Sequence, residues 1–271
     1  MNYLQFEFQT KNITENEILL ALLADAGFEG FEEEKSVFKA FIKESLFSQG
    51  IVDEIVKLVP VPYSKTLIES KNWNAIWESS FEPVRVRDFA AIRATFHAPI
   101  KNVVHEIIIT PKMSFGTGHH ATTWMMMDQM SKMDFIGKSV FDFGTGTAVL
   151  AILAAKLGAQ SIIGIDNDEW SIENAKENIA SNQTHQINIE MGSAVPPHTK
   201  FDIILANINL HVLLNNMASM SAAGDSGSLL LLSGILITDL ASIENSLQEN
   251  GLTLESTLQR KEWLCLSARK N

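Results

Sequence analysis

Cysteine occurs once in the 271 residues, at Cys265, so no disulfide can form within the chain. A fold that does without disulfides fits a reducing, cytoplasmic compartment. Long apolar runs are also missing. The run Leu229 to Leu232 resumes at Ile235 only after Ser233 and Gly234, too short to span a membrane. The opening Met1 to Phe8 alternates apolar and polar residues, as expected of a strand and not of a signal peptide. Basic residues are scarce: 21 Lys and Arg stand against 32 Asp and Glu, a net charge of −11. Such a chain suits a basic partner better than non-specific nucleic-acid binding, so no direct nucleic-acid or membrane contact is expected. Internal repeats and low-complexity tracts are absent. What remains is long enough for one large or two smaller domains, and 46% hydrophobic content supports packed cores.

The stretch Val140-Phe141-Asp142-Phe143-Gly144-Thr145-Gly146-Thr147-Ala148-Val149-Leu150 organises the rest. It reads as a short apolar strand from Ser139 to Phe143, a turn through two glycines, and an apolar helix from Ala148 to Leu157 stopped by Gly158. That is the opening unit of a nucleotide-binding α/β sheet. Gly144 and Gly146 let the backbone turn sharply and leave no Cβ between loop and ligand. The N–H groups at the start of the helix are expected to be available to that ligand. A dinucleotide fingerprint, G-x-G-x-x-G, needs a third glycine where this chain has Val149. The pattern is instead D-x-G-x-G-x-A, which resembles motif I of class I S-adenosylmethionine-dependent methyltransferases. The next strand, Ser161 to Ile165, ends in Asp166, placed like a carboxylate that binds both ribose hydroxyls.

Residues 1–59 read as a separate α+β module. Leu4, Phe6 and Phe8 alternate with polar residues in a half-buried strand. Thr14 with Glu17 reads as a capping box for a helix running to Gly27. Strands near Phe28 to Phe31 and Val37 to Ile42 and a helix from about Leu46 to Val59 complete a βαββα order, expected to be ferredoxin-like. Glu32-Glu33-Glu34 reads as a solvated loop. The module holds eleven acidic and five basic residues, more than half of the net charge. Pro60-Val61-Pro62 signals a linker over 60–80, with a helix carrying Trp73 and Trp77. The large domain is expected over 81–271.

Ala90 to Thr95 and Glu106 to Ile109 are expected to form an antiparallel pair leading into Pro111 to Thr123. This loop carries Gly116, Gly118, several hydroxyls, His119 and His120. It lacks the Lys-Ser/Thr of a phosphate-binding loop and has too few ligands for zinc, so no metal site is expected. It reads as a lid over the cofactor, with the Thr117 and Thr123 hydroxyls facing it. After Asp166 the reading continues with a helix from Asp168 to Ser181 and strands at Ile187 to Met191, Phe201 to Ala206 and Leu229 to Leu232. A helix from Thr238 to about Asn250 and a closing antiparallel hairpin, Leu252 to Leu258 with Leu264 to Ala268, follow. Strands alternating with helices imply a parallel sheet, with ligands at the strands' carboxyl ends, where Gly144, Asp166 and Asn207 fall.

On these stretches the chain resembles the PrmA family, bacterial methyltransferases of large-subunit ribosomal protein eleven. The family's Phe-Gly-Thr-Gly-x-His-x-Thr-Thr loop matches Phe115 to Thr123, and its motif I matches Asp142 to Leu150. Its acidic position matches Asp166, and its Ala-Asn-Ile matches Ala206-Asn207-Ile208. Its late Ser-Gly-Ile matches Ser233 to Ile235, and its terminal Glu-Trp matches Glu262-Trp263. The likeness covers the chain from about Asn72 to the end; the first module matches in size and element order. The resemblance implies a Rossmann-like class I methyltransferase domain with a small N-terminal domain that recognises the substrate. It implies that Thr123, Gly144, Asp166 and Asn207 bind S-adenosylmethionine while Phe115 and Thr117 line the site. It also implies methylation of lysine and N-terminal amines of a basic ribosomal protein. Ala148 replaces the usual third glycine, Ala121 a usual proline and His119 a usual small residue.

Methyl transfer from a sulfonium is an in-line displacement that needs a neutral, oriented amine, since lysine's reference pKa is near 10.4. Asn207 is the candidate catalytic residue, its side-chain oxygen able to accept the amine's N–H. An alternative is transfer to another protein amine, a glutamine amide or a nucleobase. The run Asn207-Ile208-Asn209-Leu210 lacks the aromatic that would stack on a planar group. A binding module that has lost its cofactor is a different class, set against the intact Gly144, Gly146 and Asp166.

Overall fold

The computed structural model describes residues 2–34, 36–68, 81–112 and 116–271. The chain divides into two compact units, Met1–Ser80 and Phe81–Asn271. The expected linker helix with Trp73 and Trp77, and Phe115, lie outside the described residues.

The first unit has strands β1 (Tyr3–Gln9), β2 (Phe31–Glu34), β3 (Val37–Lys43) and β4 (Tyr63–Ile68), with helices α1 (Ile13–Asp25) and α2 (Gln49–Leu58). Its antiparallel sheet has the order β2-β3-β1-β4, a ferredoxin-like arrangement. Phe6, Phe8 and Phe38 are fully buried with Leu19 and Leu23 of α1, as period-two alternation in β1 requires. Three features differ from expectation. Tyr63–Ile68 pairs with β1 as a fourth strand, inside the stretch expected to be linker from residue 60. Helix α1 is capped by Asn12, whose Oδ1 accepts from Glu15 N at 2.9 Å, while Glu15 reaches back to Lys11 N at 2.7 Å. Thr14 lies two residues past that cap, inside the helix. Glu32, Glu33 and Glu34 form an exposed edge strand instead of a loop, because Lys39 sits directly opposite Glu32 and bonds Glu34 at 2.6 Å.

The second unit is built on a seven-stranded sheet, β10-β9-β8-β11-β12-β14-β13. Its strands are β8 (Ser139–Phe143), β9 (Ser161–Asp166), β10 (Ile187–Met191), β11 (Phe201–Asn207), β12 (Gly224–Leu236), β13 (Leu252–Arg260) and β14 (Trp263–Lys270). The first five are parallel, and β14 runs antiparallel to both β12 and β13. Alternate residues of β11 enter two cores, Ile203 and Leu205 on one face, Ile204 and Ala206 on the other. A strand buried on both faces must read as a continuous apolar run, and this one does. Helices α3 (Ala121–Met130), α4 (Val149–Lys156), α5 (Glu169–Asn182), α6 (Leu210–Ala223) and α7 (Leu240–Glu249) flank the sheet. Helix α6 was not expected, although Asn209 caps it (Val212 N to Oδ1, 3.1 Å) and Leu213, Met217 and Met220 recur on its buried side.

A separate three-stranded sheet joins β5 (Val84–Val86), β6 (Ala90–Ala94) and β7 (His105–Ile109). The expected antiparallel pairing of Ala90 to Thr95 with Glu106 to Ile109 is wrong: β6 and β7 run parallel, and β6 is antiparallel to β5. The intervening connection makes a crossover. Arg93, only 8% exposed, donates to the carbonyls of Ala94 and His97, and Glu106 accepts from Ile100 N at 2.6 Å. The Arg93–Glu106 pair, Nε to Oε1 2.9 Å, joins those two anchors and holds the crossover shut.

Candidate active site

The carboxyl ends of β8, β9 and β11 open onto a cavity of about 700 Å³. Thr123, Gly144, Gly146, Asp166 and Asn207 all line it, with Gly116 beside them. Thr117 is not among the lining residues; its hydroxyl lies 3.1 Å from His119 Nδ1. His119 Nε2 in turn is 2.9 Å from the Glu82 carbonyl, and its ring meets Phe81 edge-on at 4.7 Å. The histidine that replaces a small residue therefore anchors the loop instead of loosening it.

The floor is made by glycines that tolerate no side chain. Gly144 has φ +73, and a Cβ there would come within 2.3 Å of Ile208 Cγ2. Gly234, from the Ser233-Gly234-Ile235 run, has φ +87 and would place a Cβ 2.2 Å from the Ile208 carbonyl oxygen. Gly234 admits the Ile208 backbone and Gly144 admits the Ile208 side chain, so both let Ile208 pack closely at the cavity.

The turn's amides serve the protein first. Gly144 N and Thr145 N both donate to Ile165 O at 2.9 Å, and Gly146 N donates to Asp166 Oδ2 at 2.8 Å. Helix α4 begins behind Ala148, which adopts φ +62 and caps nothing with its side chain. A left-handed alanine costs about 1–2 kcal/mol that glycine would not. Asp142 supplies the cap from inside β8: its carboxylate accepts from Ala151 N and from Thr145 Oγ1 at 2.7 Å. Burial outweighs those bonds, and with the Asp166 charge nearby it pushes the Asp142 carboxyl up to about 6.

Asp166 ends β9 with each carboxylate oxygen already oriented. Oδ2 takes the Gly146 amide and Oδ1 takes Asp168 N at 3.1 Å. Each oxygen keeps a second lone pair, which suits a vicinal diol. Asn207 ends β11 with Nδ2 donating to Thr123 Oγ1 at 3.3 Å, which leaves Oδ1 as its acceptor. His120 caps α3: its Nδ1 accepts from Thr122 N at 3.4 Å and lies 2.7 Å from Thr122 Oγ1. Its ring stands edge-on to Trp263 at 4.8 Å, and both line the cavity.

Reading the residues in order misses the α6 wall, Asn209, Val212 and Asn216, and the Gly192-Ser193 turn after β10. The Asn209 cap and the α6 apolar spacing were the signal for the first; Gly192-Ser193 carried none. Among the described residues no group of three or more His, Cys, Asp or Glu could hold a metal, and no helix is long and apolar enough to cross a membrane. The arrangement offers a carboxylate for a diol, a glycine floor, and an amide–hydroxyl pair at one end.

Comparison with known proteins agrees with this chemistry. A sequence profile described as Ribosomal protein L11 methyltransferase (PrmA) matches residues 6–271. The chain is similar to the ribosomal protein L11 methyltransferase of Phocaeicola vulgatus, 37% identical over 97% of each chain. It is 39% identical to that of Porphyromonas gingivalis over 93% of this chain and 90% of the relative. Its structure resembles the ribosomal protein L11 methylase of Lactobacillus delbrueckii subsp. bulgaricus, with TM-score 0.66 and 29% identity over 70% of this chain and all of that one. A 16S rRNA N2 G1207 methyltransferase of T. thermophilus, solved with AdoMet and guanosine, shares the fold alone at 19% identity and TM-score 0.52, over 60% of this chain and 46% of that one.

Proposed function

The chain belongs to the ribosomal protein L11 methyltransferase family, and we propose that its cavity binds S-adenosylmethionine and directs the methyl group to amines of ribosomal protein L11. The observation that carries the reading is Asp166. Its carboxylate is pinned by two backbone amides at the rim of the cavity floored by Gly144 and entered by Asn207. Asp166 takes the ribose hydroxyls, Gly144 and Gly146 let the cofactor lie against the backbone, and Thr123 and Asn207 define the methyl end. Thr117 follows the cavity-lining Gly116.

The bound cofactor supplies an electrophilic methyl on a sulfonium. The protein's task is to present a neutral amine along the S–CH₃ axis. The Trp263 and His120 rings, packed edge-on in the cavity wall, displace water from the entering amine, which favours loss of its proton. Asn207, its amide orientation fixed by Thr123, accepts an N–H through Oδ1 and aims the lone pair at the methyl. Lysine and N-terminal amines are both substrates of this geometry, because it reads an N–H and not a side chain.

The acidic first unit recognises the basic substrate. Glu33 is exposed on the edge strand between Glu32 and Glu34, which pair with Lys39. Changing Glu33 to Lys should raise KM for the ribosomal protein about threefold, an effect of surface electrostatics, without changing kcat. The reading as a whole is tested by incubating the protein with methyl-labelled S-adenosylmethionine and unmethylated ribosomal proteins. Label on L11 amines supports it; label on RNA or on a different protein overturns it.

A further inference from the structure

Helix α5 carries Asn174, Asn178 and Asn182, four residues apart and so on one face. Their amides act as the missing neighbour of β7. Asn182 takes both backbone groups of Ile108, at 3.0 Å from N and 2.6 Å to O. Thr110 is held the same way: its N donates to Asn178 Oδ1 at 2.7 Å, and its O accepts from Asn174 Nδ2 at 3.0 Å. Asn178, fully buried, does one thing more. Its Nδ2 donates to the Thr147 carbonyl at 3.0 Å, in the turn that floors the cavity. Thr147, also fully buried, donates from Oγ1 to the Gly116 carbonyl at 2.7 Å. Gly116 fits there only because it lacks a side chain: φ is +102, and a Cβ would lie 2.8 Å from Thr147 Oγ1.

An unbroken chain of bonds therefore runs from Thr110 through Asn178 and Thr147 to Gly116. It clamps Thr110 and Gly116, on either side of the loop's start, to the glycine turn. Neither Thr147 nor Asn178 lines the cavity, but Gly116 does. We propose that Thr147 and Asn178 are positioning residues for methyl transfer, which register the Gly116–Thr123 segment against the cofactor turn. The proposal rests on the cavity being the S-adenosylmethionine site. Cofactor binding then stiffens the segment that carries Thr123, and through Thr123 the orientation of Asn207. A serine at 147 keeps the donor; a valine keeps the shape and removes it.

The test compares Thr147→Val and Thr147→Ser in the full chain, after the wild type is shown by calorimetry to bind S-adenosylmethionine. The weight of one hydrogen bond predicts that Thr147→Val loses about three- to tenfold in cofactor affinity, with Thr147→Ser near wild type. Hydrogen exchange at amides 116–123 should quicken in Thr147→Val, while exchange in β8 and β11 stays as in the wild type. Gly116→Ala, which pushes on the same hydroxyl from the loop side, should quicken the same amides. Wild-type affinity and exchange in Thr147→Val, or equal defects in the valine and serine variants, would overturn the positioning role. Quickened exchange throughout β8 and β11 would mark a merely structural residue and overturn it as well. A wild type that does not bind S-adenosylmethionine would instead remove the reading on which the proposal rests.

Discussion

The large sheet is hollow at both ends, and the two hollows are similar in size, about 700 Å³ at the carboxyl end and about 600 Å³ at the amino end. Their polar groups differ in what they touch. At the amino end, Asp202 accepts both the N–H and the hydroxyl of Ser139 at 2.8 Å. Lys200 meets Asp225 at 2.9 Å and two carbonyls besides, and Arg269 donates to the Gly227 carbonyl. The Ser139 amide, outweighing partial burial, holds the Asp202 carboxyl below its usual range. At the carboxyl end Asp142 is pushed the other way, and Asp166 and Asn207 keep acceptor capacity toward the cavity. Volume alone would not separate the two. At the amino end the polar groups pair with one another, whereas at the carboxyl end Asp166 and Asn207 still have acceptor oxygens toward the cavity.

The largest break in that contrast should come from glycine. Gly144→Ala forces a Cβ onto Ile208 at φ +73, whereas Gly227, with φ +92, has nothing within 4 Å of its Cβ position. Gly144→Ala should weaken S-adenosylmethionine binding on the order of 1,000-fold or more, about 4 kcal/mol. Gly227→Ala should leave affinity unchanged and cost about 1–2 kcal/mol of stability from the left-handed backbone alone. Calorimetric titration and thermal melts of both variants check the pair.

Next in size is the pH response of Asp142. Its folded-state pKa, raised from 3.8 to about 6, means that the folded protein holds this proton more tightly than the unfolded chain. The contribution is fully present below about pH 4 and is lost as pH rises through about 6, roughly 3 kcal/mol in all. Asp142→Asn should flatten the stability profile between pH 4 and 7, because its amide oxygen still caps α4 without a titrating group. Urea unfolding across that range measures it, and parallel profiles for the two proteins would refute the burial argument.

A smaller effect sharpens the comparison within the site. Asn207→Ala should lower kcat about tenfold, the loss of one orienting hydrogen bond, while changing cofactor affinity less than about threefold. Equal losses would make Asn207 a cofactor ligand only, and steady-state kinetics beside calorimetry separates the two outcomes.

Much of this was legible because periodicity and turns are local. Phe201 to Ala206 reads as a strand buried on both faces, and the Gly144–Gly146 spacing marks the turn, without knowledge of what packs there. Direction and partnership are not local. Nothing between Thr95 and Glu106 announces that Arg93 and Glu106 would close a crossover and make β6 and β7 parallel. Tyr63 to Ile68 looks like linker after Pro60-Val61-Pro62 until β1 is seen to lack a neighbour. Asp142 carried a motif but not its physical task, since capping a helix from inside the preceding strand depends on a fold that brings Ala151 back over Asp142. The asparagines of α5 were invisible for the same reason: their partners at residues 108–110 and 147 lie far from them in sequence.

We propose that the carboxyl-end cavity, and not its counterpart, takes S-adenosylmethionine through Asp166. The most direct measurement is a calorimetric titration of wild type, Asp166→Ala and Asp225→Ala with S-adenosylmethionine. Wild type should bind, Asp225→Ala should bind with the same affinity, and Asp166→Ala should lose about 1.5–3 kcal/mol, or roughly 10- to 150-fold. Unchanged affinity in a folded Asp166→Ala protein, or an equal loss in Asp225→Ala, would contradict it.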